Sequence, residues 1–125
     1  MNVEWFTNEK DKIATIYETN ITFNTVAANY FKNAYSTLIG FDIEENCLLI
    51  KPVSKEEVNI RNLSTDSLHS MSIKPSYGRI NGKSLIKKLC CYFPIDFTEL
   101  KAHRYLCEWN PTENLLKINL KREVK

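Results

Sequence analysis

The chain has few residues that break or redirect a backbone: three glycines and four prolines in 125 positions. That scarcity excludes a low-complexity tail, and none of the glycines builds a phosphate-cradling loop. No stretch approaches 18 consecutive apolar residues, so no membrane-spanning helix is expected. The opening Met-Asn-Val-Glu-Trp-Phe-Thr-Asn-Glu-Lys lacks a basic segment followed by an apolar run, so no signal peptide is expected and the chain reads as cytoplasmic. His69 and His103, the only histidines, offer no zinc-like spacing. Cys47, Cys90, Cys91 and Cys107 form no Cys-x-x-Cys pair. Cys47 and Cys107 fall in strand-like apolar runs, where a reduced thiol packs as a small hydrophobe. Neither a nucleophile elbow nor paired metal histidines occur. No metal, cofactor or enzymatic site is therefore expected.

What is present is a globular composition, 43% hydrophobic and 26% charged, in a length that suits one domain spanning residues 1–125. The net charge of +2 conceals an uneven distribution. Residues 1–71 hold 6 Lys/Arg against 10 Asp/Glu, a net of −4, whereas residues 72–105 hold 7 against 2, a net of +5. Such an imbalance can orient an anionic partner.

The chain also repeats itself. Phe41-Asp42-Ile43-Glu44-Glu45-Asn46-Cys47-Leu48-Leu49-Ile50 and Trp109-Asn110-Pro111-Thr112-Glu113-Asn114-Leu115-Leu116-Lys117-Ile118 share an aromatic, an Asp or Asn, a Glu-Asn pair and alternating aliphatics at an offset of 68. Both read as hairpin turns with Asn at the last turn position, where a left-handed backbone is tolerated. The acidic cluster Asp42, Glu44 and Glu45 lacks the alternate carboxylates, central Gly and terminal Glu of a calcium loop.

Upstream, Ile13–Tyr17 and Ile21–Phe23 read as strands, with Asn24 or Thr25 capping a helix that carries Val26, Ala27, Tyr30, Phe31 and Ala34 on one face. Ser36–Phe41 and Cys47–Lys51 follow as strands, and Pro52 is expected to end the pairing. A connector over residues 52–67 opens with a capping box at Ser54 and Glu57. The second copy, 68–122, begins with a strand over Leu68–Lys74 and a turn at Pro75–Gly78, where the glycine is expected to supply φ > 0. Ser84 is expected to cap a helix with Leu85, Ile86 and Leu89 inward and Lys83, Lys87 and Lys88 outward. Tyr92–Leu100 is an insertion relative to the first copy, and strands over Lys101–Trp109 and Leu115–Arg122 close the chain. In the first of these, His103 shares a face with Tyr105 and Cys107 and has no catalytic companion apparent from sequence.

The unit at residues 13–51 and 68–122 resembles the AbrB-type DNA-binding module: strand, turn, strand, short helix, strand, acidic hairpin turn, strand. The Gly-Arg step between the module's first two strands matches Gly78-Arg79, and two modules in one chain resemble the MraZ arrangement. The resemblance implies a mainly β (α+β) fold of two tandem β-β-α-β-β repeats sharing one pseudo-dimeric barrel. The chain departs from the pattern where Phe23-Asn24 and Gly82-Lys83 replace the usual Ile-Pro or Val-Pro, and where Thr19-Asn20 replaces Gly-Arg in the first copy.

The expected function is a small transcriptional regulator that contacts double-stranded DNA through its basic second repeat. Lys74, Lys83, Lys87 and Lys88 would meet phosphates, Arg79 would meet phosphate or read guanine, and Tyr77 would stack on a base or sugar. The alternative is a protein-binding module, antitoxin-like or an inhibitor of a host protein, acting without nucleic acid as a monomer or homodimer.

Overall fold

The computed structural model describes residues 1–6 and 10–124. Its strands are β1 (Ile13–Tyr17), β2 (Asn20–Asn24), β3 (Ser36–Asp42), β4 (Cys47–Val53), β5 (Ser72–Ile73), β6 (Tyr77–Asn81), β7 (Ala102–Asn110) and β8 (Leu115–Val124). Three helices, α1 (Thr25–Ala28), α2 (Lys55–Ile60) and α3 (Lys83–Tyr92), accompany them. All eight strands belong to one curled antiparallel sheet in the order β3-β4-β8-β7-β1-β2-β6-β5. The fold is mainly β.

Alternation of side chains along the strands places every second residue on the concave face. Ala14, Ile16, Ile21, Phe23, Ile80, Ile50, Leu116 and Ile118 are fully buried there. Burying each large aliphatic contributes about 1.5–3 kcal/mol, so this face supplies most of the stability. Ile21 and Ile80 stand opposite each other across β2 and β6 at the centre of one half of the sheet. Helices α1 and α3 seal the concave face with Ala27 and Ala28, and with Ile86 and Leu89.

The two long hairpins turn by the same chemistry. Asp42 Oδ1 accepts from the N–H groups of Glu44 and Glu45 at 3.0 and 3.3 Å; Asn110 Oδ1 accepts from those of Thr112 and Glu113 at 3.0 and 3.1 Å. Asn46 and Asn114 then adopt φ of 54° and 55°, as the Asn positions predict. Asn24 is the cap of α1, accepting from Ala27 N–H at 3.1 Å, and Ser54 with Glu57 forms the capping box of α2.

Five expectations need correction. The helix after β2 is only four residues of α-helix, continued by a 3-10 turn over Asn29–Phe31 that swings the Phe31 ring into the core. Pro52 does not end β4, which runs to Val53. Pro52 faces Thr37, whose N–H and C=O point away to His69, so the pair needs no donor from proline. The expected strand at Leu68–Lys74 shrinks to Ser72–Ile73 plus one bridge at His69. Gly78 lies inside β6 opposite Phe23 and does not have positive φ. Its hydrogen is required by packing, since a Cβ there would sit 2.9 Å from Ala28 Cβ and 3.0 Å from Met71 Sδ. Finally, α3 begins two residues early, with Gly82 rather than Ser84 at its N-cap and no side-chain acceptor for its first turn.

Candidate nucleic-acid interface

The convex face of β1, β2, β5 and β6 is where the sequence-predicted residues meet others that pattern reading passed over. Register pairs run Arg104 to Thr15, Thr15 to Thr22, Thr22 to Arg79 and Arg79 to Ser72. Since Ala14, Ile16, Ile21 and Ile80 take the concave positions, these partners form a polar row across five strands. A parallel row joins Asn20 to Asn81. With strands about 4.8 Å apart, Arg79 and Arg104 stand roughly 14 Å from each other at the backbone. β1, β2, β5 and β6 contain no Asp or Glu at all.

Arg79 is half-buried, and its guanidinium lies 5.1 Å from the centroid of the Tyr77 ring. A cation over an aromatic face is held by the ring quadrupole, which fixes the planar group without using its N–H donors. Arg79 Nε is buried and has no hydrogen-bond partner, and neither of the two ion pairs among the described residues involves Arg79. Leaving that one buried N–H unmet is costly, and the planar guanidinium suits a bidentate acceptor. Lys74 is exposed on the turn beside it, its backbone N–H donating to Tyr77 C=O at 2.8 Å.

The structure thus gathers Lys74, Tyr77 and Arg79 on one hairpin but separates the helix lysines from one another. Lys83 and Lys87, four apart on α3, are exposed along one stripe. Lys88 lies on the other flank, lining the groove between α3 and the β3–β4 hairpin with Ser84 and His69. Burial, and then the nearby Lys88 charge, depress the His69 pKa. The six expected residues therefore do not form a single surface.

His103 does have a carboxylate companion, 20 positions away in sequence. Its Nδ1 is 3.1 Å from Glu123 Oε2 and its Nε2 is 2.7 Å from Asp96 C=O. Burial opposes protonation, but the two acceptors outweigh it and the pKa is raised. With both ring nitrogens engaged, the imidazole pins the Phe93–Lys101 connection to β8 rather than serving as a free base. Among the described residues no three His, Cys, Asp or Glu side chains are grouped to hold a metal, and no helix is long and apolar enough to cross a membrane.

No known family, curated protein or solved structure matches this chain.

The residues that sequence reading missed are Thr15, Asn20, Thr22, Asn81 and Arg104. Each is polar in a strand that is otherwise apolar on alternate positions, which was the available signal. What sequence alone does not give is that β1, β2 and β6 lie side by side, so that isolated polar positions become a continuous row.

Proposed function

We propose that this chain is a small cytoplasmic double-stranded-DNA-binding regulator built as two fused AbrB-like halves. The register arithmetic supports the architecture. An offset of 59 exchanges β2 with β6 and maps the pairs Asn20–Asn81 and Thr22–Arg79 onto each other, leaving Ile21–Ile80 on the pseudo-twofold axis. An offset of 68 exchanges β4 with β8 and leaves Leu49–Lys117 in the same position. Aromatic stacking follows the same exchange: Tyr30 of the first copy stacks on Trp109 of the second at 4.2 Å, and Tyr92 of the second stacks on Phe41 of the first at 5.2 Å. Each copy's helix packs on the other copy's hairpin, as swapped hairpins would require.

The observation that carries the function is the carboxylate-free convex row with Arg79 held on Tyr77. Arg presents a planar fork to guanine, Asn side chains suit adenine, and Thr hydroxyls serve either bases or phosphates. Asn20, Asn81, Thr22 and Arg79 surround the pseudo-twofold axis, so a duplex with its own local dyad meets them symmetrically placed but chemically unequal. Lys74 and Lys83 flank the row as phosphate contacts, and the first-turn N–H groups of α3 have no side-chain cap to compete with one.

Duplex binding measured by fluorescence anisotropy over a series of salt concentrations tests this reading. Arg79→Ala is expected to weaken binding by about 1–3 kcal/mol and to reduce the slope of log K against log salt by about 0.9. Arg79→Lys keeps the charge and loses the fork, so it restores the slope without restoring the affinity. Absence of duplex binding by the unaltered protein at low salt, or an Arg79→Ala variant with unchanged affinity and slope, overturns it.

A further inference from the structure

Within the four neighbouring strands β3-β4-β8-β7, the two outer members are treated differently by the chain, and the difference points to a partner. On one side β1 runs along β7 through five register pairs, and Cys107 N–H continues the ladder by donating to Lys12 C=O at 2.9 Å. The edge of β7 is thereby covered by the chain's own extended segment. The edge of β3 is held at one point only, where Thr37 and His69 exchange backbone hydrogen bonds of 3.0 and 2.9 Å. Just upstream of His69 the chain coils into a 3-10 turn, Thr65–Ser67, capped by Ser64, and leaves the edge.

Strand geometry aims the backbone of every second residue the same way, so Ile39 and Phe41 direct their N–H and C=O groups where Thr37 does. Among the described residues no strand lies there. What lies there instead is a groove of about 440 Å³ whose apolar lining includes Phe41, Leu48, Leu85, Leu89 and Tyr92. An unpaired edge over an apolar groove suits an extended segment with an apolar side chain at every second position.

The chain carries such a segment. In Met1–Phe6 the apolar Met1, Val3 and Trp5 alternate with the polar Asn2 and Glu4. Trp5 is 84% and Phe6 97% exposed, with almost no packing of their own, and Val3 is half-exposed. Large apolar side chains left open in this way mark an interaction surface. The segment leads to Lys10 and Lys12, which lie by Leu106 and Glu108 at β7, with β8 and β4 between that position and β3. We infer that the β3 edge receives Met1–Phe6 of a second copy of this chain as an added strand. Val3 and Trp5 enter the groove, and reciprocal exchange closes a two-fold dimer. The inference does not depend on DNA binding, because the convex row and this groove use different residues.

Sedimentation velocity from micromolar to millimolar protein tests it. The unaltered protein is expected to dimerise. Val3→Pro removes a ladder donor and a groove side chain from an exposed segment, and Leu85→Arg places a charge in the receiving groove. Each is expected to raise the dimer dissociation constant at least tenfold. An equimolar mixture of the two variants regains part of the dimer, since one intact segment can still enter one intact groove. Circular dichroism verifies folding; should Leu85→Arg fail to fold, Tyr92→Asp at the exposed lip replaces it. A protein monomeric at every concentration overturns the inference, as does a dimer indifferent to Val3→Pro and to the groove substitution. A monomer with Trp5 shielded from quencher also overturns it, since the segment would then occupy its own groove.

Discussion

Gly78 and Gly40 both lie in strands without positive φ, yet the same substitution is expected to act on them with opposite sign. A methyl group at Gly78 would meet Ala28 Cβ at 2.9 Å, Met71 Sδ at 3.0 Å and Ile73 Cδ1 at 3.4 Å. Met71 and Ile73 have rotatable ends, but the Ala28 methyl is fixed to α1, so relief requires moving that helix off β6. Overpacking of this kind costs about 1–3 kcal/mol, and we take about 2 for Gly78→Ala. At Gly40 an added Cβ meets nothing within 4 Å. There Gly40→Ala only restricts the unfolded chain, which stabilises by about 0.4–1 kcal/mol. For a chain of this size about 1 kcal/mol corresponds to roughly 4 °C, so the melting temperature should fall by about 8 °C in the first variant and rise by about 2–4 °C in the second. Urea titrations with unchanged m values would confirm that both substitutions change stability rather than compactness. A Gly78→Ala variant as stable as the parent would refute the reasoning, because it would mean α1 and Met71 do not press on β6 as closely as described.

Two further outcomes test other parts of the structure. The raised His103 pKa means that protonation contributes stability fully below the unfolded value near 6.5, and that this contribution is lost as pH rises through the folded value. The stability advantage of the parent over His103→Gln should therefore shrink between pH 6 and pH 8, and an advantage flat across that range in paired denaturation curves would exclude the His103–Glu123 linkage. Burial pushes the Cys107 thiol up to about 12 and raises that of Cys47, while Cys91 is exposed. A disulfide-exchange reagent at pH 8 should accordingly label Cys91 quickly and reach Cys47 and Cys107 only on unfolding; prompt labelling of Cys107 would count against its placement in the core.

The fold was legible where local chemistry is decisive. Asn46 and Asn114 announce left-handed turn positions, Ser54 with Glu57 announces a cap, and the apolar runs Ile13–Tyr17 and Cys47–Lys51 announce strands. It was illegible where tertiary contacts decide. Nothing local in Leu68–Lys74 says that only His69, Ser72 and Ile73 will find partners, because β3 and β6 that supply them are distant in sequence. Gly78 shows the same limit: next to Ser76-Tyr77 it reads as a turn residue, and only the approach of Ala28 from 50 positions away reveals a packing requirement.

The candidate interface divides along the same line. Charge identified Arg79 and the lysines of α3, since charge is a property of single residues. It could not show that Lys88 turns toward His69 while Arg79 turns toward Thr22, a separation created by the sheet passing between them. Nor could it show the neutral members of the row. Thr15, Thr22, Asn20 and Asn81 gain meaning only when the pairing of β1, β2 and β6, strands that contain no Asp or Glu, sets them side by side. An acidic side chain at any of those four positions would leave the core untouched and place a negative charge among the groups proposed to meet phosphate. The convex face is thus separable from the fold that carries it: its chemistry is free to change without disturbing Ile21 and Ile80 beneath it.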